Sequence, residues 1–296
     1  MKRLLLIASE DRYEVLRKAL PPEVSVTRPE DAKDSISKLL QYVEGPVCVH
    51  NLSEDDGLSE ELKTLYGEEV LLSTEEPGPV SDVLINLMQD LPSDGPSIER
   101  LSFEILSQDL DLDGFPYEAL PVIKRIVHAT GDTGFASTVL FHPDAIRTGL
   151  KAIKEGRDIV TDVEMVRAGI NQRSLGEFGG RVLCAVRDVS VSEGQGTRTE
   201  RAIELLLREN KNVGIIAIGN SPTALVRAIE ILRGPLKERA PEVLLIGMPV
   251  GFVRALESKV LLSMQAFPYI TNISPKGGTP ATVATVNALV YMAKTL

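Results

Sequence analysis

Two stretches decide the fold: V-G-I-I-A-I-G-N-S-P-T-A-L at residues 213–225, and V-L-L-I-G-M-P-V-G-F-V-R-A-L-E-S-K at residues 243–259. Each is an aliphatic run that ends in a glycine-bearing loop. Neither run alternates with polar residues, so each reads as a strand buried on both faces of a parallel sheet. Between them, residues 224–232 have the spacing of an amphipathic helix, and Gly234 and Pro235 supply a turn. Strand, loop, helix, strand is the repeating unit of an α/β fold. In such sheets the ligand crevice lies outside the carboxyl ends of the strands. Gly219, Asn220, Ser221, Gly247, Pro249 and Gly251 therefore stand where a ligand is expected.

Working outward, 296 residues allow roughly two domains. Apolar content of 43% is enough for a sizeable core. No apolar run reaches the ~20 residues that span a bilayer, and the short apolar start reads as a first strand rather than a signal peptide. The two cysteines, Cys48 and Cys184, both lie in strand-like runs. They read as free thiols in a reducing cytoplasm, not as a disulfide framework. The net charge of -10 is uneven: residues 1–95 hold 9 Lys and Arg against 20 Asp and Glu. There is no basic patch and no Trp, which argues against nucleic acid.

Residues 1–93 read as repeated strand–helix units, a small acidic α/β domain. Strands are expected over 3–8, 24–27, 46–51 and 69–73, and helices over 11–20, 29–42, 53–66 and 83–91, with a loop over 74–81. His50 is the only histidine there and reads as structural; one histidine is too few for a metal site. The turn formers of residues 92–96 suggest a linker. Beyond it, helices are expected over 97–110 with Ser97 as cap, over 121–130, through most of 138–155, and over 163–168, 197–210 and 280–294. Strands are expected over 158–162, 182–187 and 269–273, and a polar loop over 189–196. The fold class is thus α/β: a doubly wound, mainly parallel sheet in residues 97–296, preceded by the small α/β domain.

Several side chains are candidates on their own chemistry. Ser221 suits a helix N-cap with Pro222 at the first helical position, and the same helix start can receive a carboxylate, with Asn220 and Thr223 beside it. Gly277 and Gly278 precede a helix and suit an anion cradle. His142, before Pro143, reads as a helix-entry residue. His128, in R-I-V-H-A-T-G-D, reads on its own either as a satisfied structural histidine at a strand or loop end or as a side chain that gives and recovers a proton near neutrality, its ordinary pKa being ~6.5. Thr130 and Asp132 are close enough in sequence to orient it. Glu257 and Lys259 read as surface or interface ion-pairing residues.

From about residue 98 onward the chain resembles precorrin-8X methylmutase, also called cobalt-precorrin-8 methylmutase. The resemblance rests on S-F-E-I-L (102–106), R-I-V-H-A-T-G-D (125–132), D-V-E-M-V-R-A-G-I (162–170), T-R-T (197–199), I-G-N-S-P-T-A-L (218–225), I-G-M-P-V-G-F-V (246–253), E-S-K (257–259) and K-G-G-T…N-A-L (276–289). It implies an isomerase that moves a methyl group on the ring C pyrrole of precorrin-8X, or its cobalt form, by a 1,5-sigmatropic shift in cobalamin biosynthesis. It implies His128 as the proton donor and Arg198 and Ser102 as substrate contacts. Asn220, Ser221, Thr223, Lys276, Gly277 and Gly278 would hold carboxylates, and Gly251 and Phe252 would wall the pocket. It implies no cofactor and no metal ligand from the protein, and a homodimer with the site at the subunit interface. Two positions depart from the family pattern: Pro275 stands where a positive charge is usual, and Arg254 where glycine is usual. A tetrapyrrole carrier or sensor is the rival reading these departures motivate. A nucleotide-binding enzyme is a weaker rival, since no phosphate-binding glycine motif follows a strand.

Overall fold

The computed structural model describes residues 4–20, 24–42, 47–53, 55–73, 81, 83–85, 88–89, 91–110, 112–190 and 196–295. Residues 74–80 of the expected loop over 74–81, part of the expected helix over 83–91 and the middle of the polar loop over 189–196 lie outside the described residues. The chain divides into two compact units, Met1–Glu99 and Arg100–Leu296.

In the first unit, β1 (Leu4–Ile7), β2 (Val24–Thr27), β3 (Val47–Asn51) and β4 (Val70–Leu72) form a parallel sheet in the order β2-β1-β3-β4. Helices α1 (Glu10–Ala19), α2 (Ala32–Leu40) and α3 (Asp56–Tyr66) connect them. All four residues of β1 are buried and their side chains alternate between two apolar clusters: Leu5 and Ile7 join one, Leu4 and Leu6 the other. That is why the strand is apolar at every position.

Helix α4 (Gly95–Asp109) starts within the stretch expected to be a linker. Its first turn accommodates Pro96, which needs no intrahelical donor there. Asp94 accepts the Ser97 amide, so Asp94 takes the capping role expected of Ser97.

The second unit holds a six-stranded sheet in the order β5-β10-β9-β8-β6-β7. Its strands are β5 (Val139–Phe141), β6 (Asp158–Thr161), β7 (Val182–Leu183), β8 (Val213–Ile218), β9 (Leu244–Gly247) and β10 (Tyr269–Asn272). All pairings are parallel except β5 with β10. Its helices are α5 (Leu120–Thr130), α6 (Ala145–Lys154), α7 (Glu164–Gly169), α8 (Gln172–Gly176), α9 (Arg198–Glu209), α10 (Pro222–Arg233), α11 (Ala255–Ser263) and α12 (Thr279–Thr295). Ile215, Ala217, Leu244 and Ile246 face the cluster built by α5, α6 and α12. Val213, Ile216, Ile218 and Leu245 face the cluster built by α9 and α10. Helices thus cover both faces, and the unbroken aliphatic runs follow from that.

Three expectations change. Residues 139–141 are an edge strand, not the start of a helix: V-L-F pairs antiparallel with β10, and the helix begins only at Ala145. The strand expected over 182–187 keeps two residues, because the chain turns at Ala185, whose carbonyl accepts the Asp188 amide. Residues 255–259, read only as the tail of a glycine loop, open α11.

Candidate active site

The sheet order locates the crevice. The chain builds outward from β8 to β9 and β10 in one direction and from β6 to β7 in the other, so it reverses between β6 and β8. Ligands in open α/β sheets bind at such a switch point. Asp162 follows β6 and the Gly219–Ser221 loop follows β8. The Asp162 side chain is fully buried, and its carboxylate accepts the amides of Gly219 (3.1 Å), Asn220 (2.8 Å) and Ser221 (2.7 Å). Burial pushes its pKa up from the ordinary carboxylate value, and the three amide donors oppose that rise.

Beside this clamp lies a set of linked hydroxyls. Thr197 contacts Thr223 at 2.7 Å, and Thr199 donates to Ser221 at 2.7 Å. The T-R-T segment is therefore stitched to the N-S-P-T segment. Thr197 forms a capping box with Glu200, and Ser221 caps α10 by accepting the Ala224 amide. Between the two threonines Arg198 is exposed, with no acidic partner among the described residues. Asn220 is also exposed.

His128 lies in the last turn of α5 rather than at a strand or loop end. Its Nδ1 is 2.8 Å from Ser102 Oγ of α4. Phe103, the next residue on α4, sets its ring 5.2 Å from the imidazole, and the Arg125 guanidinium lies 5.0 Å from the centre of the Phe103 ring. A half-buried imidazole is thereby fixed through one nitrogen, and among the described residues Nε2 has no protein partner. Thr130 and Asp132 do not orient it. The Thr130 hydroxyl donates back to the carbonyls of Ile126 and Val127, and Asp132 pairs with Lys276 at 2.6 Å.

The Asp132–Lys276 pair joins the end of α5 to the Lys276-Gly277-Gly278 loop. Gly277 has φ 150°, and a Cβ there would lie 2.3 Å from the Met248 carbonyl oxygen. Only glycine allows this crossing of the two loops. The Gly278 amide donates to that same carbonyl at 2.7 Å, and the Gly251 amide donates to Pro275 O at 3.1 Å. The glycine cradle is therefore partly spent on protein: the Gly278 N–H is not free for an anion, whereas the Gly277 N–H has no partner among the described residues.

Beneath these loops sits Lys259. It is fully buried, not a surface ion-pairing residue, while Glu257 two positions earlier is exposed. Its Nζ donates to Asn272 Oδ1 (3.2 Å), to Lys276 O (2.6 Å) and to Ser274 O. Burial pushes its pKa down to about 8. The signal in the sequence was its register: Ala255, Ser258, Lys259 and Leu262 form the buried face of α11, and a lysine on such a face is not a solvated one.

Phe252 is 98% exposed and Val253 78%, so within one chain Phe252 walls no cavity. Arg254 beside them has φ 62°, the only non-glycine residue with positive φ among the described residues. His142 lies at the opposite edge of the sheet. Its ring is 5.7 Å from Tyr269 at the start of β10, and its Nδ1 accepts the Asp144 amide. It serves helix entry, as expected.

A model of the precorrin-8X methylmutase family matches residues 97–292. The chain belongs to that family. It is accordingly an isomerase of cobalamin biosynthesis, and every site residue described above lies inside the matched span. The cobalt-precorrin-8 methylmutase of Priestia megaterium is 40% identical over 199 residues, 66% of this chain and 87% of that protein. A precorrin-8X methylmutase from a Sinorhizobium species is 35% identical over 206 residues, 68% of this chain and 96% of that protein. The solved structure of the precorrin-8X methylmutase of Thermus thermophilus superposes with a TM-score of 0.59 at 34% identity, covering 67% of this chain and 98% of that one. Residues 1–96 lie outside the match to the methylmutase model.

Proposed function

We propose that this methylmutase moves a methyl group between adjacent carbons of the ring C pyrrole of precorrin-8X or its cobalt form, with His128 as the proton donor. The Ser102–His128 contact carries the reading. A hydroxyl on Nδ1 fixes the ring and leaves Nε2 to meet the macrocycle. Protonating the conjugated system lowers the barrier to a 1,5-shift, and a placed acid of this kind contributes ~10²–10⁴ in rate. The shift itself needs no nucleophile. Arg198, Asn220, Ser221, Thr223 and Lys276 would engage the peripheral carboxylates, Arg198 by a two-pronged guanidinium contact. The residues of 1–93 carry no assigned role in this reaction.

A second copy of the chain would complete the site. Val250, Phe252 and Val253 project from the loop that meets Pro275, and a homodimer places an apolar cover over them. Cys48 and Cys184 are not joined in a disulfide, which fits a cytoplasmic setting.

The test is single-turnover absorbance with each substrate form. Wild type is expected to convert the chromophore. His128→Ala should lose ~10²–10⁴ in rate, and Ser102→Ala about tenfold. A wild-type protein that binds substrate but leaves its spectrum unconverted would overturn the isomerase reading in favour of a carrier. Sedimentation should show a dimer that Phe252→Asp weakens.

A further inference from the structure

We propose that Lys259 is a positioning residue: its buried ammonium shapes the Ser274–Gly278 loop into a seat for one substrate carboxylate, and does so only while protonated. This rests on the polycarboxylate substrate of the proposed function.

The count of hydrogen bonds carries the inference. An ammonium has three donors and no acceptor. Lys259 has three acceptors, and all belong to the end of β10 or the loop after it: Asn272 Oδ1, Ser274 O and Lys276 O. Asn272 is itself fully buried, and its Nδ2 donates to the same Lys276 carbonyl at 2.9 Å. Carbonyls 274 and 276 are thus drawn inward onto a positive charge. Between them the Pro275 carbonyl goes instead to the Gly251 amide. The Gly277 N–H is left without a protein partner, next to a buried cation. An unpaired amide beside a positive charge selects an anion.

No carboxylate neutralises this ammonium among the described residues. On its own helix, Arg254 and Glu257 are exposed. On β10, the Tyr269 hydroxyl donates to Ser263 O. On the loop, the Lys276 ammonium pairs with Asp132. On α10, packed against α11, Arg227 pairs with Glu204 and Glu230, and Arg233 is exposed. Burial alone lowers its pKa to about 8, within reach of a binding assay. A neutral amine keeps two donors for three acceptors, so deprotonation releases one contact of the seat and removes the charge beneath it.

The experiment measures the affinity of hydrogenobyrinic acid, the metal-free product, for wild type, Lys259→Met and Lys259→Arg between pH 6.5 and 9.5. The ligand's carboxylates stay ionised throughout that range. Wild-type affinity should hold at low pH and fall about tenfold through a midpoint near or above 8. Lys259→Met should bind weakly at every pH with no such step, and Lys259→Arg should bind without the step because its guanidinium keeps its proton. A step of unchanged size and midpoint in Lys259→Met would overturn the proposal. Should Lys259→Met not fold, ¹³Cε-lysine resonances of wild type decide. A line titrating near pH 8 that moves to higher pH on adding the product supports the proposal, and one with an unmoved midpoint overturns it. Absence of product binding by wild type at any pH is a different result: it removes the corrinoid reading itself, and this inference with it.

Discussion

Two loops leave the carboxyl edge of the same sheet, and each is pinned by one fully buried charge of opposite sign. After β8, the Asp162 carboxylate gathers three backbone N–H groups. After β10, the Lys259 ammonium gathers two backbone carbonyls and the side-chain carbonyl of Asn272. An anion beneath a loop consumes its donors and leaves side chains such as Asn220 to face outward. A cation beneath a loop consumes its acceptors and leaves N–H groups. The two loops are therefore complementary in what they offer a ligand. The first presents side-chain hydroxyl and amide groups, and the second a backbone donor with positive charge behind it.

The strongest way to break the comparison is Asp162→Asn. The amide keeps the shape but has one oxygen for three N–H groups and points its own N–H₂ at the others. A loss of about 2–4 kcal/mol is expected from urea unfolding. A loss under ~1 kcal/mol would mean that the Ser221 cap and the hydroxyl chain hold the loop without the carboxylate.

The cation side has a pH signature of known sign. Below about pH 8 both the folded and unfolded chains carry the Lys259 proton, while between about 8 and 10.5 the unfolded chain binds more. Stability rises with pH wherever the unfolded state holds more protons. Wild type should thus gain up to about 3 kcal/mol from this group as pH rises through that window, at ~1.36 kcal/mol per unit. Lys259→Met should lack the gain when urea midpoints at pH 7.5 and 10 are compared. Affinity and stability would then move in opposite directions over the same pH range, which a merely structural lysine would not produce.

The smallest effect sharpens the second loop's neighbour. Arg254 holds a left-handed backbone that costs an L-residue about 1–2 kcal/mol. Arg254→Gly should raise stability by about 0.5–1 kcal/mol in thermal unfolding. No gain would mean that the arginine side chain recovers the strain through contacts of its own.

The sheet was legible because strands buried on both faces leave an aliphatic run, and 213–218 and 244–247 are such runs. The edge strand at 139–141 was not, because V-L-F directly precedes a helix and a short apolar run has no period of its own. His128 was legible as chemistry, but its partner was not: Ser102 is 26 positions away, and only the packing of α4 on α5 joins them. Asp162 read as a strand end and Lys259 as a surface charge because a sequence shows a charge without showing what covers it. Phe252 read as wall, yet it stands outside the single chain's core.

The three histidines occupy three unlike settings: His50 beside Ser73 in the first unit, His142 against Tyr269 at the far edge of the second sheet, and His128 on Ser102 at the near edge. With 3 imidazoles in 296 residues, the ring-proton spectrum has few enough lines to be read directly. The chain therefore carries its own reporter: one line senses the Ser102–His128 contact, one the opposite rim of the same sheet and one the other unit, so a ligand's reach through the molecule can be followed without adding a label.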